Sequence, residues 1–258
     1  MSFRDAFPSA PTRLEEAARA RYPALFAREE WTLPFRAFLV RSDGDHLLVD
    51  AGVGPPPGTF LPGRQARLAD ALAEAGVQPE AIDVVFLTHL HVDHVGWATI
   101  AGAPFFRRAR YVAAGEDWRF FADRTESRDV FEEKLAPLAE HGVVDLVDAK
   151  PTPVAPAAAS LPAPGHTPGH MSVRVTGTER ELVILGDVAV HPVQLEDPAL
   201  AYTFDVDASR AAETRTALFA ALARERTLVA AGHFPGSGMG YVEGAEAGFA
   251  WAPLEEHP

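Results

Sequence analysis

The segment Thr88-His89-Leu90-His91-Val92-Asp93-His94-Val95-Gly96 constrains this chain more than any other stretch. It follows Asp83 to Thr88, a buried β-type run, so a strand ends where four metal-ligating side chains begin. His89 and His91 share strand parity and can point into one site, while the chain turns at Asp93 and His94 so that these aim at a neighbouring position. A fold that accommodates this segment must bring a strand end to a rim where loops gather, which is where sites are normally built. Imidazole and carboxylate suit Zn²⁺, and also Mn²⁺ or Fe²⁺.

Composition narrows the chemistry. The absence of cysteine excludes disulfides, thiolate nucleophiles, iron–sulfur clusters and Cys-rich zinc sites, so any metal is held by His and carboxylates. A formal charge of −13 repels phosphate backbones and anionic lipid surfaces, so nucleic acid is not an expected partner. Apolar runs such as Ala81 to Leu87 stop far short of the roughly 20 residues of a bilayer span, so no membrane association is expected. Met1 to Ala10 contains no apolar run suited to secretion, and a cytoplasmic location is the expectation. At 258 residues and 47% hydrophobic content, the chain can bury one large core.

Along the chain, Thr12 to Glu30 reads as one or two short helices forming an N-terminal extension over residues 1–30. Phe35 to Val40 and His46 to Val49 read as a hairpin turning at Asp43-Gly44, and a Pro/Gly loop from Val53 to Gly63 follows, long enough to border a pocket. Leu68, Leu72 and Ala75 mark a helix ending at Gly76, Arg110 to Ala113 a strand, Gly115 to Glu140 a helical stretch, and Val143 to Val147 another strand. Lys150 to Pro164 reads as a Pro/Ala-rich connection between two halves meeting near residues 150–163. Met171 to Val175 and Leu182 to Leu185 form a strand pair, Ala208 to Arg224 a helix capped by Asp207, Thr227 to Ala231 a short strand, and the remainder hairpin material. This two-part rhythm suits two sheets packed face to face with helices outside.

Three further segments carry candidate ligands. His166 and His170 stand in the loop Pro164 to His170, Asp187 closes Leu185-Gly186-Asp187, and His233 closes Ala231-Gly232-His233. Each alone is an ordinary turn residue; together with the first segment they supply five candidate-ligand histidines of the chain's ten, His89, His91, His94, His166 and His233.

This pattern resembles the metallo-β-lactamase superfamily, marked by a histidine-x-histidine-x-aspartate-histidine loop, a later histidine, a glycine-aspartate and a final histidine. The resemblance runs from about Phe35 to about His233 and implies an α/β fold, the four-layer αββα sandwich, as one domain over residues 1–258. It also implies that His89, His91 and His166 hold one divalent metal ion, Asp93, His94 and His233 a second, and that Asp187 bridges them. Zinc is the expected metal, with Mn or Fe as alternatives. Leu33-Pro34-Phe35-Arg36, Pro192 to Pro198 and Phe204 to Asp207 are similar to the branch holding methyl parathion hydrolases and quorum-quenching lactonases.

The implied activity is hydrolysis of a small-molecule lactone, ester or phosphotriester by a hydroxide bridging two metals, which lower the pKa of water from 15.7 toward about 7. Asp187 and Asp93 are the expected catalytic carboxylates; Asp93 either orients the hydroxide or shuttles a proton, or is a ligand only. Acylhomoserine lactonases typically carry tyrosine three residues beyond the bridging aspartate, where this chain has Val190. His191 is then a pocket donor or a structural hydrogen-bonder, and His170 a structural one. Among the loop aromatics, which include Phe60, Trp97 and Phe106 are the expected substrate contacts. Asp50 is either an anchor of the metal loop or a turn carboxylate. The resemblance also allows a homodimer. Alternatives are a single-iron persulfide dioxygenase, or a thioester hydrolase of the glyoxalase type.

Overall fold

The computed structural model describes residues 1–27, 30–42, 44–55, 66–246 and 248–254. The expected turn residue Asp43, Phe60 and most of the expected Val53 to Gly63 loop lie outside the described residues. The chain divides into two units, one formed by Met1–Pro34 with Ala163–Pro258 and the other by Phe35–Pro162.

The first unit opens with α1 (Phe3–Ala6), held by a capping box in which Ser2 and Asp5 exchange backbone and side-chain hydrogen bonds, and α2 (Thr12–Arg21). A 3₁₀ turn (Pro23–Leu25) leads into β1 (Phe26–Ala27), which pairs with β2 (Glu30–Trp31). Phe3, Phe7, Tyr22, Leu25 and Trp31 bury their side chains together with Val190, Val193, Leu200 and Tyr202 from the later half of the chain.

In the second unit, β3 (Phe38–Ser42) and β4 (Asp45–Val49) form the expected hairpin, and α3 (Leu68–Glu74) buries Leu72. Next, β5 (Val84–Phe86), buried throughout, reads into the short helix α4 (Val92–Val95) across the histidine segment. The small hairpin β6 (Thr99–Ile100) and β7 (Ala103–Pro104) precedes β8 (Arg110–Ala114). The helical stretch expected from Gly115 to Glu140 is interrupted. It divides into α5 (Gly115–Asp123), α6 (Arg128–Val130), a π turn (Phe131–Leu135) and α7 (Ala136–Glu140). The Ser127 hydroxyl donates to the Phe121 carbonyl at the break, satisfying an acceptor that a continuing helix would have used. β9 (Val144–Val147) completes a sheet ordered β3-β4-β5-β8-β9, parallel from β4 onward. The expected connection from Lys150 to Pro164 is instead a hairpin, β10 (Pro153–Ala155) with β11 (Ala158–Pro162). Its inward positions are Val154, Ala158 and Ser160, and the small Ala and Ser side chains conceal the alternation from hydropathy.

Beyond Ala163 the first unit resumes with β12 (Met171–Thr176) and β13 (Glu181–Ile184), an antiparallel pair. The expected polar stretch from His191 to Asp207 contains the short α8 (Val193–Glu196), whose Val193, Gln194 and Leu195 are buried. α9 (Ala208–Glu225) starts where Asp207 accepts from the Arg210 amide, as expected. β14 (Leu228–Ala230) runs parallel to β13, and β15 (Met239–Gly244) with β16 (Phe249–Pro253) closes the chain as an antiparallel hairpin.

Candidate metal centre

In the second unit, Asp50 organises the histidine segment. It stands just after β4 with φ of 65°, a left-handed conformation that few non-glycine residues adopt, and its amide donates to the Phe86 carbonyl at 2.8 Å. Its carboxylate accepts from the Thr88 amide at 2.8 Å, from the Thr88 hydroxyl at 3.0 Å, and from His94 Nδ1 at 2.8 Å. Thr88 spends its one proton on Asp50, so its oxygen is the acceptor for His89 Nδ1 at 3.1 Å. The protons of both imidazoles are therefore on Nδ1, and each Nε2 carries a lone pair suited to a metal. The ring of His89 lies 4.8 Å from that of His91 and 4.0 Å from that of His94. The ligand atoms of Asp93 and His94 lie within 4.8 Å of each other. Gly96 and Gly54 allow the segment to approach the turn after β4: a Cβ on Gly96 would stand 2.2 Å from the Gly54 nitrogen.

The first unit uses the same device with other residues. His166 follows Gly165, where a Cβ would meet the Ala211 nitrogen in α9 at 2.2 Å. His166 Nδ1 donates to Asp205 Oδ1 at 3.0 Å, and Asp205 Oδ2 accepts from the Tyr202 amide at 3.0 Å and Arg215 Nη1 at 3.2 Å. Burial pushes the Asp205 carboxyl up. The His166 hydrogen bond and the Arg215 guanidinium outweigh that, holding it below its ordinary range. His233 Nδ1 donates to the Pro34 carbonyl. Between the two imidazoles stands Asp187, with Oδ2 3.4 Å from His166 Nε2 and Oδ1 3.1 Å from His233 Nε2. The Asp187 amide donates to His170 Nε2 at 2.9 Å, while His170 Nδ1 donates to the Ala163 carbonyl at 3.1 Å. His170 therefore positions the backbone of Asp187.

The donor set fits divalent cations. The Nδ1 atoms of His89, His94, His166 and His233 are each pinned to an oxygen acceptor, which directs Nε2 for coordination; Asp187 offers two oxygens to two positions. No helix of the described residues is long and apolar enough to cross a membrane.

The expected substrate contacts Trp97, Phe106 and His191 are buried side chains. Phe106 is fully buried in the core of the second unit, with its amide donating to the Tyr111 hydroxyl, and Trp97 is buried against Phe105 at a ring separation of 4.7 Å. His191 is also fully enclosed, and burial lowers its pKa to about 3, so its imidazole is neutral. These positions are set by burial, which turn and aromatic content in the sequence did not resolve. Sequence reasoning also missed Asp205, Arg215 and Pro34. Only the Phe204 to Asp207 and Leu33 to Arg36 segments pointed near them.

The family model of the metallo-beta-lactamase superfamily matches residues 36–233. An N-acyl homoserine lactonase of Bacillus cereus is 25% identical over 219 residues, 78% of this chain and 81% of that protein. Another, from a Bacillus sp, is 27% identical over 170 residues, and the aligned part spans 59% of this chain and 62% of the relative. Among solved structures, the hydrolase AbOPH of the beta lactamase superfamily matches with a TM-score of 0.88 at 24% identity, covering 100% of this chain and 91% of the other. AidC, a dizinc quorum-quenching lactonase, matches with a TM-score of 0.84 at 19% identity, covering 99% and 90%. With a family match that spans the histidine segment, Asp187 and His233, and N-acyl homoserine lactonases among its relatives, the chain belongs to the metallo-beta-lactamase superfamily as a metal-dependent hydrolase.

Proposed function

We propose that the two donor groups serve one binuclear centre and that the protein hydrolyses a lactone or a related ester or phosphotriester. His89, His91 and His166 hold one divalent cation, Asp93, His94 and His233 the other, and Asp187 contributes an oxygen to each. Zinc suits this nitrogen-rich set, with Mn or Fe as alternatives. Two such cations supply an ionised water at neutral pH and a Lewis acid for the carbonyl or phosphoryl oxygen.

The observation that carries this reading is the pinning of four imidazoles by Thr88, Asp50, Asp205 and Pro34, because a histidine serving only as a core hydrogen-bonder has no need of a fixed outward lone pair. Asp93 is less buried than His94, so its carboxylate is placed to hold or hand over a proton as the leaving oxygen departs. The presence of a second donor group, Asp93 with His94 and His233, favours the binuclear hydrolase over a single-iron oxidoreductase, which has no use for it. Likeness to relatives named as N-acyl homoserine lactonases supports a lactone, although Val190 stands where those enzymes typically have tyrosine.

Metal content per chain, measured with turnover of a γ-lactone, an aryl ester and a phosphotriester before and after chelation, tests the proposal. Two equivalents, with lactone turnover lost to chelator and regained with zinc or manganese, is the expected result. One equivalent of iron with oxygen consumption would overturn it, as would the lack of any tightly held metal.

A further inference from the structure

His191 occupies an unusual environment for a polar ring. Phe3, Phe7, Tyr22, Phe26 and Trp31 surround it at ring separations of 5.5 to 6.2 Å, all edge-on. The Val193 amide donates to its Nδ1 at 3.1 Å, which leaves the proton on Nε2, and that atom has no hydrogen-bond acceptor among the described residues. A buried N–H among aromatic rings is stabilised only by their π faces, so the imidazole and the rings define one another's position. All five rings come from the first 34 residues, whereas His191 lies four residues beyond Asp187.

The same segment reaches the candidate metal centre directly. Trp31 anchors its end: the side chain is buried in the cage, and its amide donates to the Met1 carbonyl at 3.2 Å. The next amide, of Thr32, donates to Leu25 at 2.7 Å. Two residues later the Pro34 carbonyl accepts from His233 Nδ1, 199 residues away in sequence. Proline fixes φ just before this carbonyl, which stiffens its direction.

We propose that Met1–Pro34 is a positioning element of the metal centre: the aromatic cage around His191 anchors it, and the Pro34 carbonyl fixes the Nδ1 proton and ring orientation of His233. This rests on the reading of His233 as a ligand of the second cation. The Pro34 carbonyl holds His233, assigned to the second cation, so loosening that carbonyl weakens the two equivalents unequally.

The test is titration of metal-stripped full-length protein with zinc alone, together with ¹⁵N NMR of the histidine rings in the metal-free protein. In Pro34→Gly the carbonyl persists on a loosened backbone. The expected result is a second equivalent weakened about tenfold or more, a first equivalent within about threefold of the parent, and loss of the protected His233 Nδ1 proton signal. Pro34→Ala restores most of each property, and Trp31→Ala acts in the same direction as Pro34→Gly. Unchanged zinc affinities and an unchanged His233 signal in Pro34→Gly and Trp31→Ala would overturn the proposal. So would equal weakening of both equivalents in step with lost thermal stability, the mark of a merely structural segment. Failure of the parent protein to bind zinc defeats the binuclear reading, while the His233 signal still decides the positioning role.

Discussion

Asp50 and Asp205 perform the same task in different units, and the difference between them lies in what balances their charge. Asp50 is a hub with no lysine or arginine paired to it among the described residues: one carboxylate serves His94 directly and His89 through Thr88, from a strained backbone position. Asp205 serves one imidazole among the described residues, that of His166, and is compensated by Arg215, which is fully buried and also donates to the carbonyls of Pro198 and Leu200. Hydrogen bonds from Thr88 and His94, 38 and 44 residues further along the chain, hold the first hub. A buried ion pair reaching across α9 holds the second. Removing one partner from such a pair leaves a charge without compensation, so the two hubs should fail in different ways.

The largest effect is expected at the compensated hub. Arg215→Met should cost about 3–5 kcal/mol of stability, read by chemical denaturation, because Asp205 stays buried while its cation goes. A loss below about 1 kcal/mol would show that the pair is not needed to hold the loop. The next effect separates the hubs by reach. On the proposed assignment of His89 and His94 to different cations, Asp50→Ala should weaken both zinc equivalents about 10–100-fold, whereas Asp205→Ala should weaken only the one assigned to His166. Equal patterns in the two variants would dissolve the distinction.

Backbone approach gives a smaller, paired contrast. Gly96→Ala and Gly165→Ala should each cost about 1–3 kcal/mol or prevent folding, because the added Cβ meets backbone at 2.2 Å in both places. The Gly96→Ala variant should disturb zinc binding at His94, and Gly165→Ala at His166; an unaltered melting temperature in either would show that the segment relaxes freely.

Taken per pH unit, the smallest effect concerns the cage. Unfolded His191 takes a proton below about pH 6.5, whereas in the folded chain it does so only near 3. Between those values the unfolded state holds the extra proton, so stability falls as pH falls, by about 1.4 kcal/mol per unit. Above about 6.5 neither state is protonated and the contribution is constant. His191→Phe should flatten this acid limb relative to the parent in urea denaturation between pH 6 and 4. An identical slope in both proteins would place the titration elsewhere.

Much of this was legible in the residue string. The histidine segment, Asp187 and His233 stand at strand ends as the periodicity implied, and Asp50, read as an anchor or a turn residue, is the anchor. Less legible were the hairpin at Pro153–Pro162, where alanine and serine hide the inward face, and the break after α5. The burial of Trp97, Phe106 and His191 was not legible either, because aromatic and imidazole side chains near loops carry no sequence mark of burial.

The sequence by itself determined the donor types and the order in which they appear, because ligand chemistry and strand periodicity are local properties. Tertiary structure alone decided which imidazole nitrogen carries the proton. That assignment depends on acceptors far along the chain, Asp205 for His166 and the Pro34 carbonyl for His233, and no local spacing encodes a hydrogen bond made by a distant oxygen.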